Sequence, residues 1–180
     1  FSPNSTAVLA ASVKKQKESG FELFSYGANL SLMQRITNKL SGTLSLYYEQ
    51  VDLDTATVAT TEEISEIPRN YSKGGLSVAL LFDNALPKFN PSRGFIIALN
   101  TKSNSLILPG NYPFFRYQFE LRNYSQLWDP LVIASRLKAG SVYPFPNSGP
   151  IPVEERFFAG GSRSVRGWAR QQLGPKDESD

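Results

Sequence analysis

Hydrophobic and polar residues alternate along most of this chain. Between Phe114 and Arg122, Phe115, Tyr117, Phe119 and Leu121 occupy one set of positions. Arg116, Gln118, Glu120 and Arg122 occupy the other. A helix would scatter both sets around its axis, whereas a strand sends them to opposite faces. The spacing therefore predicts a strand with one apolar and one charged face. The same period returns at Leu76, Val78, Leu80 and Phe82, closed by Asp83, and at Phe95, Ile97 and Leu99, where Ile96 and Ala98 opposite are also apolar. Leu131, Ile133, Leu137 and Ala139 stand against Arg136 and Lys138, and Leu44, Leu46 and Tyr48 against Thr43, Ser45, Tyr47 and Glu49. Phe24, Tyr26, Ala28, Leu30 and Leu32 are set against Glu22, Ser25 and Asn29. Ala7, Leu9, Ala11 and Val13, more weakly, are set against Thr6 and Ser12. The expectation is an all-β antiparallel meander of about seven strands, most long enough to cross ~25 Å of hydrocarbon at a barrel tilt.

The connections differ in length. Thr37-Asn38-Lys39 and the stretch from Gln126 to Pro130 are short. Leu53 to Ser72, Lys102 to Pro113 and the stretch from Pro144 onward are long, and Asn84 to Arg93 carries prolines. Short turns at one end and longer loops at the other suit a membrane barrel. The charged residues Arg116, Glu120, Arg122, Arg136 and Lys138 suit a wetted lumen face. Tyr47, Tyr48, Phe114, Phe115, Trp128 and Tyr143, near strand ends, suit the aromatic girdles of a membrane interface. A soluble antiparallel barrel or sandwich with one wet face would share this periodicity, so the pattern alone leaves both open. Single-chain bacterial barrels have an even number of strands, so about seven predicts a portion of a larger barrel with two open edges.

Composition narrows the chemistry. The 180 residues contain no cysteine and no histidine. Disulfides, Cys-ligated zinc, thiol nucleophiles and Ser-His-Asp triads are thereby excluded, along with the commonest metal ligand. No metal or cofactor site is expected. Nineteen Lys and Arg against 16 Asp and Glu leave a net charge of +3, scattered along the chain, which gives nucleic acid no basic arm to grip. No run approaches ~18 consecutive apolar residues, so no spanning helix is expected, and the first residues do not form a signal peptide. The carboxylate neighbours Glu62-Glu63 and Glu154-Glu155 fall in loops, and adjacent residues of an extended chain point apart. The Gly-rich stretches lack the Lys-Ser/Thr of a phosphate loop. No enzyme site is expected.

Two segments are more specific. Glu155-Arg156-Phe157-Phe158-Ala159-Gly160-Gly161-Ser162-Arg163-Ser164-Val165-Arg166-Gly167-Trp168 runs on to Leu173-Gly174-Pro175. This stretch resembles the sixth-loop segment of outer-membrane assembly factors of the BamA and TamA type, the bacterial surface-antigen barrel superfamily. Their signature is Val/Ile-Arg-Gly-aromatic, here Val165, Arg166, Gly167 and Trp168, preceded by the matching Phe158, Gly160 and Gly161. Trp168 stands where Phe or Tyr is more usual. Phe82-Asp83-Asn84, Pro87 and Asn90-Pro91-Ser92-Arg93-Gly94-Phe95 look like the family's turn of the form Asp-x-x-x-x-Pro-x-x-Gly. In that turn Asp83, Pro91 and Gly94 are expected to shape the backbone rather than act in chemistry.

The resemblance implies a sixteen-stranded transmembrane barrel. Residues 1–143 would supply its middle strands and residues 144–180 the start of the long extracellular loop. It implies that this loop folds back into the lumen, where Arg166 packs against acidic and aromatic wall residues located beyond residue 180. A guanidinium suits that role because it can pair bidentately with a carboxylate and stack on a ring at once. The implied function is assembly of β-barrel proteins into the outer membrane of a Gram-negative-type bacterium. The implied partners are outer-membrane lipid, unfolded barrel-protein clients and periplasmic or lipoprotein companions. Two-partner secretion pores share the Val-Arg-Gly-aromatic loop and form the alternative, with a soluble β-rich binding module as a further one.

Overall fold

The computed structural model describes residues 4–17, 22–54, 69–160, 165 and 167. Seven strands lie in chain order in one sheet, each antiparallel to the next. They are β1 (Ser5–Lys17), β2 (Glu22–Arg35), β3 (Leu40–Asp54), β4 (Asn70–Asp83), β5 (Gly94–Asn104), β6 (Phe114–Trp128) and β7 (Leu131–Pro144). The shortest has 11 residues and the longest 15, whereas ~9–11 suffice to cross a bilayer. β6 runs past Arg122 to Trp128, with a register shift between Gln126 and Trp128. Among the described residues no helix is long and apolar enough to span a membrane, and no cluster of acidic side chains could hold a metal.

Register fixes the two faces, because directly paired residues point the same way. One row runs Tyr47–Gly75–Asn104–Phe114 and belongs to the polar face. The row Leu44–Val78–Thr101–Tyr117 belongs to the apolar face. Glu22, expected opposite Phe24, shares its face instead. Lys15 pairs with Phe24 in register, and its ammonium meets Glu22 at 2.5 Å on the margin of the apolar side. A residue two positions away in a strand cannot reach the other face.

Burial is inverted relative to a soluble sheet. Leu9, Leu30, Leu44, Leu80 and Leu137 on the apolar face are exposed. Most buried strand residues, including Leu23, Ser25, Ser45, Val51, Leu53, Tyr71 and Lys73, lie on the polar face, whereas Gly74 and Ser103 are buried on the apolar one. Leu23, Val51, Leu53 and Tyr71 form a small core there with Val153, and Tyr112 packs against it. What covers them is the chain after β7, which turns back across the polar face. Tyr47 and Phe114, expected in an interface girdle, are buried beneath this segment because their register places them on the polar face. Tyr48, Phe115 and Tyr143 face the apolar side, where Tyr143 stacks on Tyr117. Trp128, beside the β6–β7 turn, is exposed. At the opposite end of the apolar face from Tyr143, Phe82 stacks on Phe95.

The connections sort less cleanly by end than expected. Residues 36–39 and 129–130 are short, but 84–93 lies at their end of the sheet. Residues 18–21, as short as 36–39, share the other end with 55–69 and 105–113.

Candidate functional site

The segment after β7 reaches the wall through a 3-10 turn, Val153–Glu155, set up by Pro152. Three strands meet this turn with a cation each: Lys73 from β4, Lys102 from β5 and Arg116 from β6. Lys73 Nζ donates to Glu154 Oε1 at 2.9 Å and to Glu155 Oε1 at 3.2 Å, and pairs with Glu49 Oε2 of β3 at 3.1 Å. Lys102 donates to Glu155 Oε1, and Arg116 Nη1 to Glu155 Oε2 at 3.2 Å. The Tyr71 hydroxyl donates to Glu154 Oε1 at 2.6 Å. Both oxygens of Glu155 are thus engaged, although only 4% of the residue is exposed. A buried charge persists only when it is paired and hydrogen-bonded, as here. Burial alone would raise the Glu155 carboxyl's pKa, but the Lys102 and Lys73 ammoniums and the Arg116 guanidinium hold it down at about 2.

Aromatic rings complete the cradle. Lys102 Nζ lies 4.7 Å from the Tyr47 ring centre, and the Arg116 guanidinium 4.5 Å from that of Phe157. Cations over ring faces gain from the ring quadrupole, most where water is excluded. The Phe157 ring also presses on β7: a Cβ at Gly140 would come within 2.7 Å of its Cζ. The returning segment therefore ties together β3, β4, β5, β6 and β7. Beside this latch the polar face keeps an open groove of about 320 Å³ that includes Ser45, Ser77, Asn100 and Gln118.

The five charged residues expected on one face do share the polar face, in two groups. Arg116 joins the latch. Glu120 accepts from Arg122 Nε at 2.6 Å and from Arg136 through Nε at 2.9 Å and Nη2 at 3.1 Å, a fork. Lys138 stands opposite Glu120 in register. In the turn, the Asp83 carboxylate accepts from the Ala85 N–H at 3.0 Å and pairs with Lys88 at 2.9 Å. Gly94 adopts φ +96°, and a Cβ there would meet the Asn84 carbonyl oxygen at 2.7 Å. Pro91 lies within the same loop, between the bridged residues Leu86 and Arg93.

Of the loop motif, Phe158 and Val165 are exposed, and Gly160 and Gly167 adopt φ +108° and +98°. Gly161, Arg166 and Trp168 lie outside the described residues. The contacts that hold the described loop come from residues given no role in the sequence reading: Glu154, Glu155 and Phe157. Lys73 and Lys102 were missed as well. Their signal was parity, since Glu49, Lys73, Lys102 and Arg116 all fall on the polar positions of their strands.

A family model described as the Omp85 superfamily domain matches residues 2–180. The chain is 31% identical over 109 residues to the Sorting and assembly machinery component 50 homolog of Xenopus tropicalis, a match covering 60% of this chain and 23% of that protein. It is 30% identical over 95 residues to the outer membrane protein assembly factor BamA of Nitratidesulfovibrio vulgaris, covering 53% of this chain and 12% of the relative. The match thus spans less than a quarter of either relative's length. The fold superposes on the crystal structure of BamA from Haemophilus ducreyi lacking POTRA domains 1–3, with a TM-score of 0.80 and 19% identity. That match covers 95% of this chain and 35% of the other.

Proposed function

The chain belongs to the Omp85 superfamily, and from that premise we propose that it forms part of the wall of an outer-membrane barrel whose parent assembles other β-barrel proteins into the membrane. The inverted burial carries the membrane placement: the apolar face is exposed, and among the described residues the only sizeable core is under the returning loop. In water such a face would be a large unsatisfied patch, whereas in a bilayer it meets its solvent. On this reading residues 1–143 are middle strands of a barrel of about sixteen, and residues 144–180 open the long extracellular loop. The polar face, with Arg116, Glu120, Arg122, Arg136 and Lys138, lines the lumen. Phe158, Gly160, Gly161, Val165, Arg166, Gly167 and Trp168 continue the loop within that lumen.

The parent makes and breaks no covalent bond. Unpaired strand edges are costly in lipid, and an edge that accepts an incoming strand lowers the cost of threading it. Strands β1 to β7 supply firmly paired wall, and the Glu155 latch holds the loop against it. The partners are membrane lipid, unfolded barrel clients and companion subunits of the parent. Because similar proteins come from a frog as well as from a bacterium, the membrane is the outer membrane of a Gram-negative-type cell or of a mitochondrion.

Depleting the full-length parent in its own cell or organelle, while following folded, heat-modifiable barrel proteins, tests this reading. Loss across unrelated barrels is the expected result. Loss of a single exported protein with other barrels intact would make the parent a dedicated secretion pore instead.

A further inference from the structure

We propose that loop 105–110 is a lipid-contacting flap, whose Leu106-Ile107-Leu108 tip extends the apolar belt into the membrane interface. The inference rests on the membrane reading above and concerns a segment to which that reading gives no role.

β5 stops at Asn104, while β4 runs on from Gly75 to Asn70. The chain leaves the sheet there and returns when the Asn111 N–H donates to the Ser72 carbonyl at 2.8 Å. The excursion lies on the apolar face. Gly74 pairs with Tyr48 on that face, and a Cβ at Gly74 would lie 2.4 Å from the Pro109 carbonyl oxygen and 3.1 Å from Leu108 Cβ. Any larger residue at position 74 would evict the loop. Hydrogen bonds hold its neck shut. Ser105 N–H donates to the Gly74 carbonyl at 2.7 Å, and the Ser105 hydroxyl to the Gly110 carbonyl at 2.6 Å. The fully buried Asn104 side chain donates to Asn111 and Tyr112 carbonyls and accepts from the Gly74 N–H at 2.9 Å.

What this closed neck displays is apolar. Leu106 is 62% exposed and Ile107 58%. A surface loop of a water-facing rim has no reason to fix two large hydrophobes outward. The place supplies one. Along β3 the apolar face reads Leu44, Leu46, Tyr48 and then Gln50. Along β5 it reads Leu99 and then Thr101 and Ser103. The belt thins at this height, beside the aromatic residues Tyr48 and Phe115, and the loop replaces the missing apolar surface. Its tip carries no side chain able to hydrogen-bond a protein partner. The occupant that fits is the boundary between lipid headgroups and acyl chains, where apolar groups flanked by aromatics sit.

The test uses the full-length parent in phosphatidylcholine vesicles, with single nitroxide labels at Ile107, at Leu99 within the belt and at Asn38 in an exposed turn. Relaxation is read with oxygen, which concentrates in lipid, and with a water-soluble nickel chelate. The expected ratio of oxygen to nickel accessibility at Ile107 falls between the high value at Leu99 and the low value at Asn38. Adding Gly74→Leu should drop the ratio at Ile107 and leave Leu99 unchanged. A ratio at Ile107 equal to that at Asn38 would overturn the flap, as would shielding from both reagents, which would indicate a protein partner. If Leu99 itself reads as water-exposed, the membrane reading falls first.

Discussion

Glu155 answers three cations from three strands, and no water-exposed group can take its place. Removing its charge leaves Lys102 and Arg116 uncompensated, while Lys73 keeps Glu49 and Glu154, at a cost of about 3–5 kcal/mol. Glu155→Gln in the parent should therefore release the loop, read as faster proteolysis between residues 145 and 160 with the strands still folded. Glu120→Gln offers a contrast. Its partners Arg122 and Arg136 have side chains 46% and 42% exposed, so the loss should stay within ~1 kcal/mol. The pH response follows from the same carboxyl. Its value in the folded chain is about 2 against an ordinary 4.5, so ionised Glu155 favours docking. That contribution is complete above the ordinary value and drains away as pH falls through the lower one. Loop proteolysis by an acid-tolerant protease should stay slow at pH 5 and rise only between about pH 4.5 and 2. An onset near neutrality would contradict the pairing. The sequence hid this cluster because its members stand 81, 53 and 39 residues apart, and adjacent carboxylates in a loop carry no pattern of their own.

The seven strands were legible because a period of two, held over ten or more residues, admits no other regular structure. Their faces were legible wherever parity was followed strictly. Glu22, Tyr47 and Phe114 were misplaced where residue type was allowed to outweigh parity. Turn chemistry was readable too. Asp83 caps the turn it begins, and Gly94 occupies a left-handed conformation that places it against Asn84. Gly94→Val should therefore destabilise the barrel by about 1–3 kcal/mol, since a branched side chain resists that φ and has no room there. Thermal unfolding followed by gel mobility of the unheated protein would measure it. The extent of β6 was not legible, and the loop's return to the wall was expected only from the family resemblance, because neither leaves a local period.

Taken together, the sheet is built inside out, and this gives the membrane placement a direct check. Leu80→Arg on the apolar face should cost about 2–4 kcal/mol in a bilayer, and less toward its edges. Ser77→Arg, three residues away but facing the open groove, should cost little. A soluble sheet whose apolar side was covered by protein would respond to Leu80→Arg in detergent and lipid alike. The latch has one more consequence, which concerns time. Glu155 can meet Lys73, Lys102 and Arg116 only after β4, β5 and β6 lie side by side, so the contact is absent from any early nucleus of assembly. An interaction formed after the barrier leaves the rate of folding nearly untouched and slows the reverse step. The loop thus acts as a brake on departure: Glu155→Gln should leave the wall assembling at its usual pace and coming apart sooner.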